Sequence, residues 1–312
     1  MMASYVFGID VGGTTVKLGL FDAEGTVLEK WEIPTITTNH GEQILPDIAK
    51  SVLAKAEEKS IAKEDVIGVG IGVPGPVDDE GVIYKAANLG WDEFNIADKL
   101  AELTGFTVKA GNDANVAALG EMWKGGGCGY KDMVAVTLGT GVGGGIICNG
   151  RVLMGATGAG GEIGHMHIVD DETETCGCGN TGCLEQYASA TGIVRLANRK
   201  LQASDKDSVL RTGEVSAKTV FDAVKANDAL AIEIAEEFGD YLGEGLANIA
   251  AVVNPEIFVI GGGVSKAGDV LLDYIEKNFQ KYAFRGCKGA KFALATLGND
   301  AGIYGAAKLV IE

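Results

Sequence analysis

Two stretches of this chain share one pattern of strand, glycine turn and strand. Ile9–Leu28 reads IDVGGTTVKLGLFDAEGTVL and Val136–Leu153 reads VTLGTGVGGGIICNGRVL; at an offset of 127 residues they differ in length only at the second turn. Both halves of the chain therefore begin with the same β-hairpin unit, and a duplication of this period indicates two similar domains. The 312 residues are enough for two ordinary domains.

The remaining elements alternate around these hairpins. Tyr5–Asp10 is predicted as a strand broken by Gly12–Gly13, with strands Val16–Phe21 and Val27–Ile33 divided by the Asp22–Gly25 turn. Ile44, Leu45, Ile48, Val52, Leu53 and Ala56 recur at helical spacing and predict a helix over about 41–59. Val66–Val73 is a nearly continuous apolar run, as in a buried strand. A short helix around Ile96, Leu100 and Leu103 and a strand Thr107–Ala110 follow; Asn112 or Asp113 caps the next helix, with Val116, Ala117 and Leu119 inward. The pattern then restarts with strand Met133–Leu138, turn Gly139–Gly145, strand Gly145–Cys148 and, past Asn149–Gly150, strand Arg151–Met154. Beyond residue 183 helices are expected near 183–203, 217–225 and 228–253, then strand Ile257–Ile260, a helix near 267–280, strand Phe292–Ala295 and a helix over 301–311. This order gives an α/β fold of two lobes with a cleft between duplicated domains. The expected division is a small lobe, 1–118, joined by a C-terminal helix of about 299–312, and a large lobe, 119–298.

Composition narrows the function classes. The chain is 46% hydrophobic and can bury a sizeable core. Its formal net charge is -17 with no basic cluster, which disfavours a nucleic-acid partner. No apolar run approaches the roughly 18 residues that span a bilayer, and MMASYVFGID lacks a secretory pattern. A cytoplasmic location without a membrane partner is the expectation. Of six cysteines, three fall within residues 176–183, a spacing that points to a metal rather than to a disulfide framework.

The glycine turns suit phosphate. In Asp10-Val-Gly-Gly-Thr-Thr-Val-Lys17, Gly12 and Gly13 let backbone N–H groups converge on an anion, and Thr14 and Thr15 add hydroxyls. Asp10 could hold Mg²⁺ directly or through water; Lys17 either meets a phosphate or is an exposed strand lysine. Leu138–Gly145 offers a second cradle through Gly139, Thr140 and Gly141. Neither turn matches the Walker pattern. In Gly111-Asn-Asp-Ala-Asn115, Asp113 sits near backbone N–H groups that favour its charged form, as a base accepting a hydroxyl proton during phosphoryl transfer requires. Cys176-Gly-Cys-Gly-Asn-Thr-Gly-Cys183 places three thiolates at spacings that suit tetrahedral zinc with a fourth ligand from elsewhere; His165 and His167 lie just upstream.

Asp10–Lys17 resembles the first phosphate motif of the actin/hexokinase superfamily and 138–145 its second. LGTGVGGGIICNGRVLMGATGAGGEIGH resembles the signature of the ROK (repressor, ORF, kinase) family, and the likeness runs from Tyr5 to the C-terminal helix. The resemblance implies an actin/hexokinase-like, ribonuclease H-like fold and an ATP- and Mg²⁺-dependent sugar kinase. It assigns Asp113 as the catalytic base. Sugar contacts fall on Asn112, Asp113, Glu162, His165 and Glu185, with Gly75 of Val-Pro-Gly-Pro bringing backbone to the sugar. Gly261, Gly262 and Gly263 within Val259–Gly263 correspond to the adenosine motif, and Asn299–Gly305 to the second connecting segment. The family pattern gives the zinc ligand as the His of Glu-x-Gly-His, here His165, beside Cys176, Cys178 and Cys183; the 165–176 segment is slightly longer than typical, so His167 is held in reserve. Four protein ligands make the zinc structural. Glucose is the expected substrate, with N-acetylmannosamine or another N-acylhexosamine next and fructose after it. A sugar-sensing repressor of the family would carry a helix-turn-helix and a basic surface; this acidic chain begins at the first strand of the kinase fold. A homo-oligomer, dimer or tetramer, is implied by the resemblance alone.

Overall fold

The first sheet begins with β1 (Tyr5–Val11) and β2 (Thr15–Asp22), buried over consecutive residues, and β3 (Val27–Pro34), whose residues alternate between partly buried and exposed. The computed structural model describes residues 4–311, so the expected lobe limits at residues 1 and 312 lie outside the described residues. Helix α1 (Ile44–Glu58) buries Ile44, Leu45, Ile48 and Val52. Strand β4 (Val66–Val73), the short pair β5 (Val82–Ile83) and β6 (Phe94–Asn95), helix α2 (Ile96–Thr104) and strand β7 (Val108–Asn112) complete this half. Helix α3 (Asp113–Lys124) leads out of it.

The second sheet is made by β8 (Met133–Leu138), β9 (Val142–Cys148) and β10 (Arg151–Val152), with strands β11 and β12 joining later. The expected helix near 183–203 is two helices, α4 (Glu185–Ala188) and α5 (Ala190–Ala203). They break at Ser189, whose hydroxyl accepts the Gly192 N–H at 3.0 Å and so caps α5. Then come α6 (Ala217–Lys225), α7 (Ala229–Val253), β11 (Ile257–Gly261), α8 (Asp269–Tyr282), β12 (Lys291–Leu294) and α9 (Ala301–Ile311). Strand β9 starts earlier than expected, because Val142 and Gly143 pair with Leu138 and Thr137 instead of extending the turn. No helix of the described residues is long and apolar enough to cross a membrane.

The two sheets share one topology. Their orders are β3-β2-β1-β4-β7 and β10-β9-β8-β11-β12. In each, an antiparallel meander feeds two parallel strands. The duplicated sequence is thus a duplicated sheet. Each has its own apolar core, one around Phe7, Ile9, Ile48 and Ile71, the other around Val136, Phe238, Phe258 and Ile260.

Helices α3 and α9 cross between the sheets with almost no side chain at the contact. A Cβ on Gly305 would lie 1.6 Å from the Val116 carbonyl oxygen, and one on Gly70 of β4 would lie 1.7 Å from that of Ala306. Backbone therefore rests on backbone, and neither side can yield. In an exposed helix, alanine for glycine stabilises by about 1 kcal/mol. Here the clash outweighs that gain: Gly305→Ala is expected to cost about 2–4 kcal/mol in urea unfolding. Gly289→Ala, where nothing lies within 4 Å of the new methyl, should shift stability by less than about 0.5 kcal/mol. Equal effects of the two substitutions would contradict this account of the crossing.

Candidate functional site

The site is built from the point where β7 becomes α3. Asn112 is extended (φ -63°, ψ 142°) and caps the helix: its Oδ1 accepts the N–H groups of Ala114 at 3.0 Å and Asn115 at 3.1 Å. Its Nδ2 donates to the Gly75 carbonyl at 3.1 Å and to Asp113 Oδ1 at 3.1 Å. Of the two capping candidates, Asn112 thus caps α3, which leaves the Asp113 carboxylate at the cleft wall. There it also accepts the Ala114 N–H at 2.8 Å. Burial raises the Asp113 pKa, opposed by the Ala114 amide and reinforced by the charge of Glu162. The helix-end amides expected to favour the charged form are outweighed by burial.

Asp10 stands at the end of β1, beside Lys17 in the β1–β2 register. Burial raises its pKa to about 6; Lys17 opposes the rise and Asp113 adds to it. The close approach of α9 at Gly302 permits this burial, since a Cβ there would lie 2.5 Å from Asp10 Cγ. Lys17 Nζ donates to the Asn299 carbonyl at 3.0 Å, just ahead of α9. Asp10, Lys17, Asn112, Asp113, Thr137, Gly143 and Glu162 all line one cleft of about 500 Å³. At the 127-residue offset Asp10 corresponds to Thr137, and their strand partners are Lys17 and Gly143. Equivalent ends of the two duplicated hairpins therefore meet in the cleft. A second cavity of about 500 Å³ adjoins it through Ala117, Thr137, Gly298, Asn299 and Ala301, and its far end is walled by Gly261, Gly262 and Gly263.

The turn tips themselves line neither of these two cavities. Gly12, Gly13 and Thr14 are exposed, and their turn is closed by Gly12 N–H on the Thr15 carbonyl at 3.0 Å. In the second turn the Gly139 N–H reaches the Gly141 carbonyl at 3.0 Å. Outside bonds hold it as well: Ala190 N–H donates to the Gly139 carbonyl at 2.8 Å and the Thr191 hydroxyl to that of Thr140 at 2.6 Å. The break between α4 and α5 thus serves to anchor this turn.

Beside the cleft, Glu162, His165 and Glu185 form a chain of contacts into a thiol cluster. His165 Nε2 lies 3.9 Å from Glu162 Oε2, and its Nδ1 lies 3.6 Å from Glu185 Oε1 and 3.7 Å from Cys176 Sγ. Cys176 Sγ is 2.9 Å from Glu185 Oε1, whose other oxygen accepts the Val142 N–H at 3.4 Å. One ligand atom each from His165, Cys176, Cys178 and Cys183 lies within 4.8 Å of the others, and the Cys178 and Cys183 sulfurs are 3.6 Å apart. A tetrahedron of Zn–S bonds of about 2.3 Å has S···S edges of about 3.8 Å, so the residues fit zinc. Burial pushes the Cys176 thiol up to about 12; a bound cation reverses that preference by displacing the proton. His167 points elsewhere. Its Nδ1 contacts the Thr181 carbonyl at 2.9 Å, which requires a proton there, and its Nε2 contacts Asp170 at 3.1 Å.

The long segment between His165 and Cys176 is pinned by Glu172. Burial would raise this carboxyl, but Arg195 and Tyr187 hold it down to about 2. Arg195 Nη2 pairs with the carboxylate at 2.6 Å, and the Tyr187 hydroxyl donates to it directly. Tyr187 belongs to α4, the helix that Glu185 begins. Sequence reasoning missed Glu172, and likewise Glu121, Thr137 and Gly302. Only Gly302 and Asn299, within the Asn299–Gly305 segment, carried a signal that could have been followed further.

Two sheets of one topology, meeting at a cleft lined by Asp10, Asp113 and Glu162, define a two-lobed chain of actin/hexokinase-like fold. The ROK family model matches residues 6–312, and the chain belongs to the ROK family. A glucokinase of Halalkalibacterium halodurans is 47% identical over 99% of this chain and 96% of its own length. The crystal structure of a ROK family glucokinase from Streptomyces griseus in complex with glucose and AMPPNP has a TM-score of 0.72 at 36% identity, covering 98% of this chain and 99% of that one. A ROK hexokinase from Thermus thermophilus has a TM-score of 0.79 at 33% identity, covering 97% and 96%.

The half-buried Asp10 makes stability depend on pH. A carboxyl raised in the folded state stabilises fully below its unfolded value and loses that contribution as pH rises through the folded one. Between an ordinary aspartate of about 3.9 and a folded value of about 6, the loss amounts to about 3 kcal/mol. Without nucleotide or Mg²⁺, Asp10→Asn should be more stable than wild type by up to this amount above pH 7, with the advantage vanishing by about pH 4. Denaturant unfolding across that range checks it; a difference independent of pH would remove the account of Asp10.

Proposed function

We propose that the chain is an ATP-dependent glucose kinase that converts glucose to glucose 6-phosphate. The observation that carries the reading is the cleft in which Asp113, half-buried and bonded at a helix start, lies with Asp10 and Glu162. The 47% identity to a glucokinase over nearly the whole chain supports the same substrate.

In this reading the sugar lies against Asn112, Asp113, Glu162, His165, Glu185 and the Gly75 backbone. The phosphates lie between the turns of Gly12, Gly13 and Thr14 and of Gly139, Thr140 and Gly141, and the adenosine lies against Gly261, Gly262 and Gly263. Asp113 takes the proton of the 6-hydroxyl as its oxygen bonds to the γ-phosphorus; the bond to the β–γ bridging oxygen breaks and ADP leaves. A base whose pKa is raised by burial moves toward the operating pH, which favours proton transfer. Asp10 and Lys17 would hold Mg²⁺ and phosphate charge, and Mg²⁺ would neutralise charge on the phosphates. Closure of the lobes excludes water, so the sugar hydroxyl accepts the phosphoryl group.

His165, Cys176, Cys178 and Cys183 hold a structural zinc. His165 serves both roles, with Nδ1 toward the metal and Nε2 toward Glu162. The lobe boundary at residue 118 falls inside α3, and α9 joins the small lobe on which it packs. A cytoplasmic location and a dimer or tetramer belong to the same reading.

Coupled ADP release across glucose, N-acetylmannosamine, N-acetylglucosamine, mannose and fructose tests the function. A kcat/KM for glucose at least about tenfold above the others is expected; preference for an N-acyl sugar would move the substrate, and silence on all five would defeat the kinase reading. For the metal, one zinc per chain is expected in protein purified without chelator, and its removal should lower both the melting temperature and glucose affinity. Protein free of zinc yet fully stable and active would defeat that assignment.

A further inference from the structure

The third turn of α3 carries a buried acid that the chemistry above does not use. Glu121 is 4% exposed. Its Oε2 accepts the Gly126 N–H at 2.8 Å and the Thr296 N–H at 3.1 Å, and its Oε1 accepts the Leu297 N–H at 2.9 Å. The side chain lines the cavity that ends at Gly261–Gly263, together with Thr296 and Asn299. Gly126 belongs to the loop leaving α3, whereas 296–297 leads from β12 towards α9. One carboxylate therefore ties the loop leaving α3 to the distant 296–297 segment along one side of that cavity.

We propose that Glu121 is a positioning residue for the nucleotide: by gathering these three amides it sets the shape of the wall against which the nucleoside rests. The inference depends on the reading that this cavity receives the adenosine. A buried carboxylate needs its lone pairs satisfied, and charge-assisted bonds to backbone N–H groups are the strong kind. Glutamine in its place offers one acceptor oxygen and one NH₂ group. Whichever way the amide is turned, a donor then faces at least one N–H that has lost its acceptor. The loop must move to relieve this. Asp113 lies eight positions earlier on α3, about 12 Å along the axis, so the disturbance should reach the nucleotide before the sugar.

The test is steady-state kinetics of the full chain with ATP and glucose varied separately. Glu121→Gln should raise KM for ATP about tenfold or more while KM for glucose stays within about twofold. Glu121→Asp, which keeps the charge on a shorter stem, should raise KM for ATP by a smaller factor of about threefold. It carries the test if the glutamine variant does not fold. Equal increases for both substrates, or a lower melting temperature with KM for ATP unchanged, would overturn the proposal in favour of a merely structural role. Gly263→Trp separates this from the underlying reading, because Gly263 lines the same cavity and a side chain there meets nothing within 4 Å of its Cβ. If it raises KM for ATP while the Glu121 variants do not, the inference falls alone. If it leaves KM for ATP unchanged, the nucleotide lies elsewhere and both fall.

Discussion

The contact of α3 with α9 is the constraint on which the other features depend. With Gly305 against the Val116 carbonyl, the helices approach as closely as backbone allows. Their crossing sits between two sheets of identical strand order. Asp113 begins one helix and Asn299, which receives Lys17, precedes the other. Gly302 on α9 packs against Asp10, and the burial of that carboxyl raises its pKa. A looser crossing would expose Asp10 further to water, and the electrostatic tension between the two aspartates would relax.

A second anchor fixes the side of the cleft that carries Glu162. His165 meets Glu162 through Nε2 and the thiol cluster through Nδ1, and Glu185 meets Cys176 through Oε1 and the Val142 amide through Oε2, so the geometry of the cluster is transmitted to Glu162 and to β9. Glu172 adds a clamp from the same loop onto Tyr187 and Arg195. Positioning a catalytic constellation through buried contacts of this kind lowers the reorganisation needed when substrate binds. The break at Ser189 extends the same logic to the second glycine turn, which is held through Ala190 and Thr191.

Much of this was legible in the sequence because local patterns carried it. Val66–Val73 and Met133–Leu138 are strands over the expected residues, since apolar runs bounded by glycine or proline leave few alternatives. The duplicated hairpin foretold the duplicated sheet. The start of β9 was misplaced because Gly143 and Gly144 read as turn residues, whereas pairing with β8 overrides that preference. The break at Ser189 was hidden inside a helical periodicity that continues on both sides of it. Glu121 and Glu172 left no signal at all. An acidic residue reads as a surface position until the fold brings distant backbone amides or an arginine to it. Likewise, Gly302 and Gly305 serve helix packing, a role that composition cannot separate from ligand contact.

The most direct test of the account is to measure turnover and glucose binding together in Asp113→Asn. The isosteric amide keeps an acceptor for the Ala114 N–H but cannot take the hydroxyl proton. If Asp113 is the base, kcat falls by about 10²–10⁴ while glucose affinity, followed by tryptophan fluorescence or calorimetry, changes by less than about threefold. Turnover close to wild type with glucose bound would contradict the account, and the acid at the head of α3 would then be only part of the helix cap.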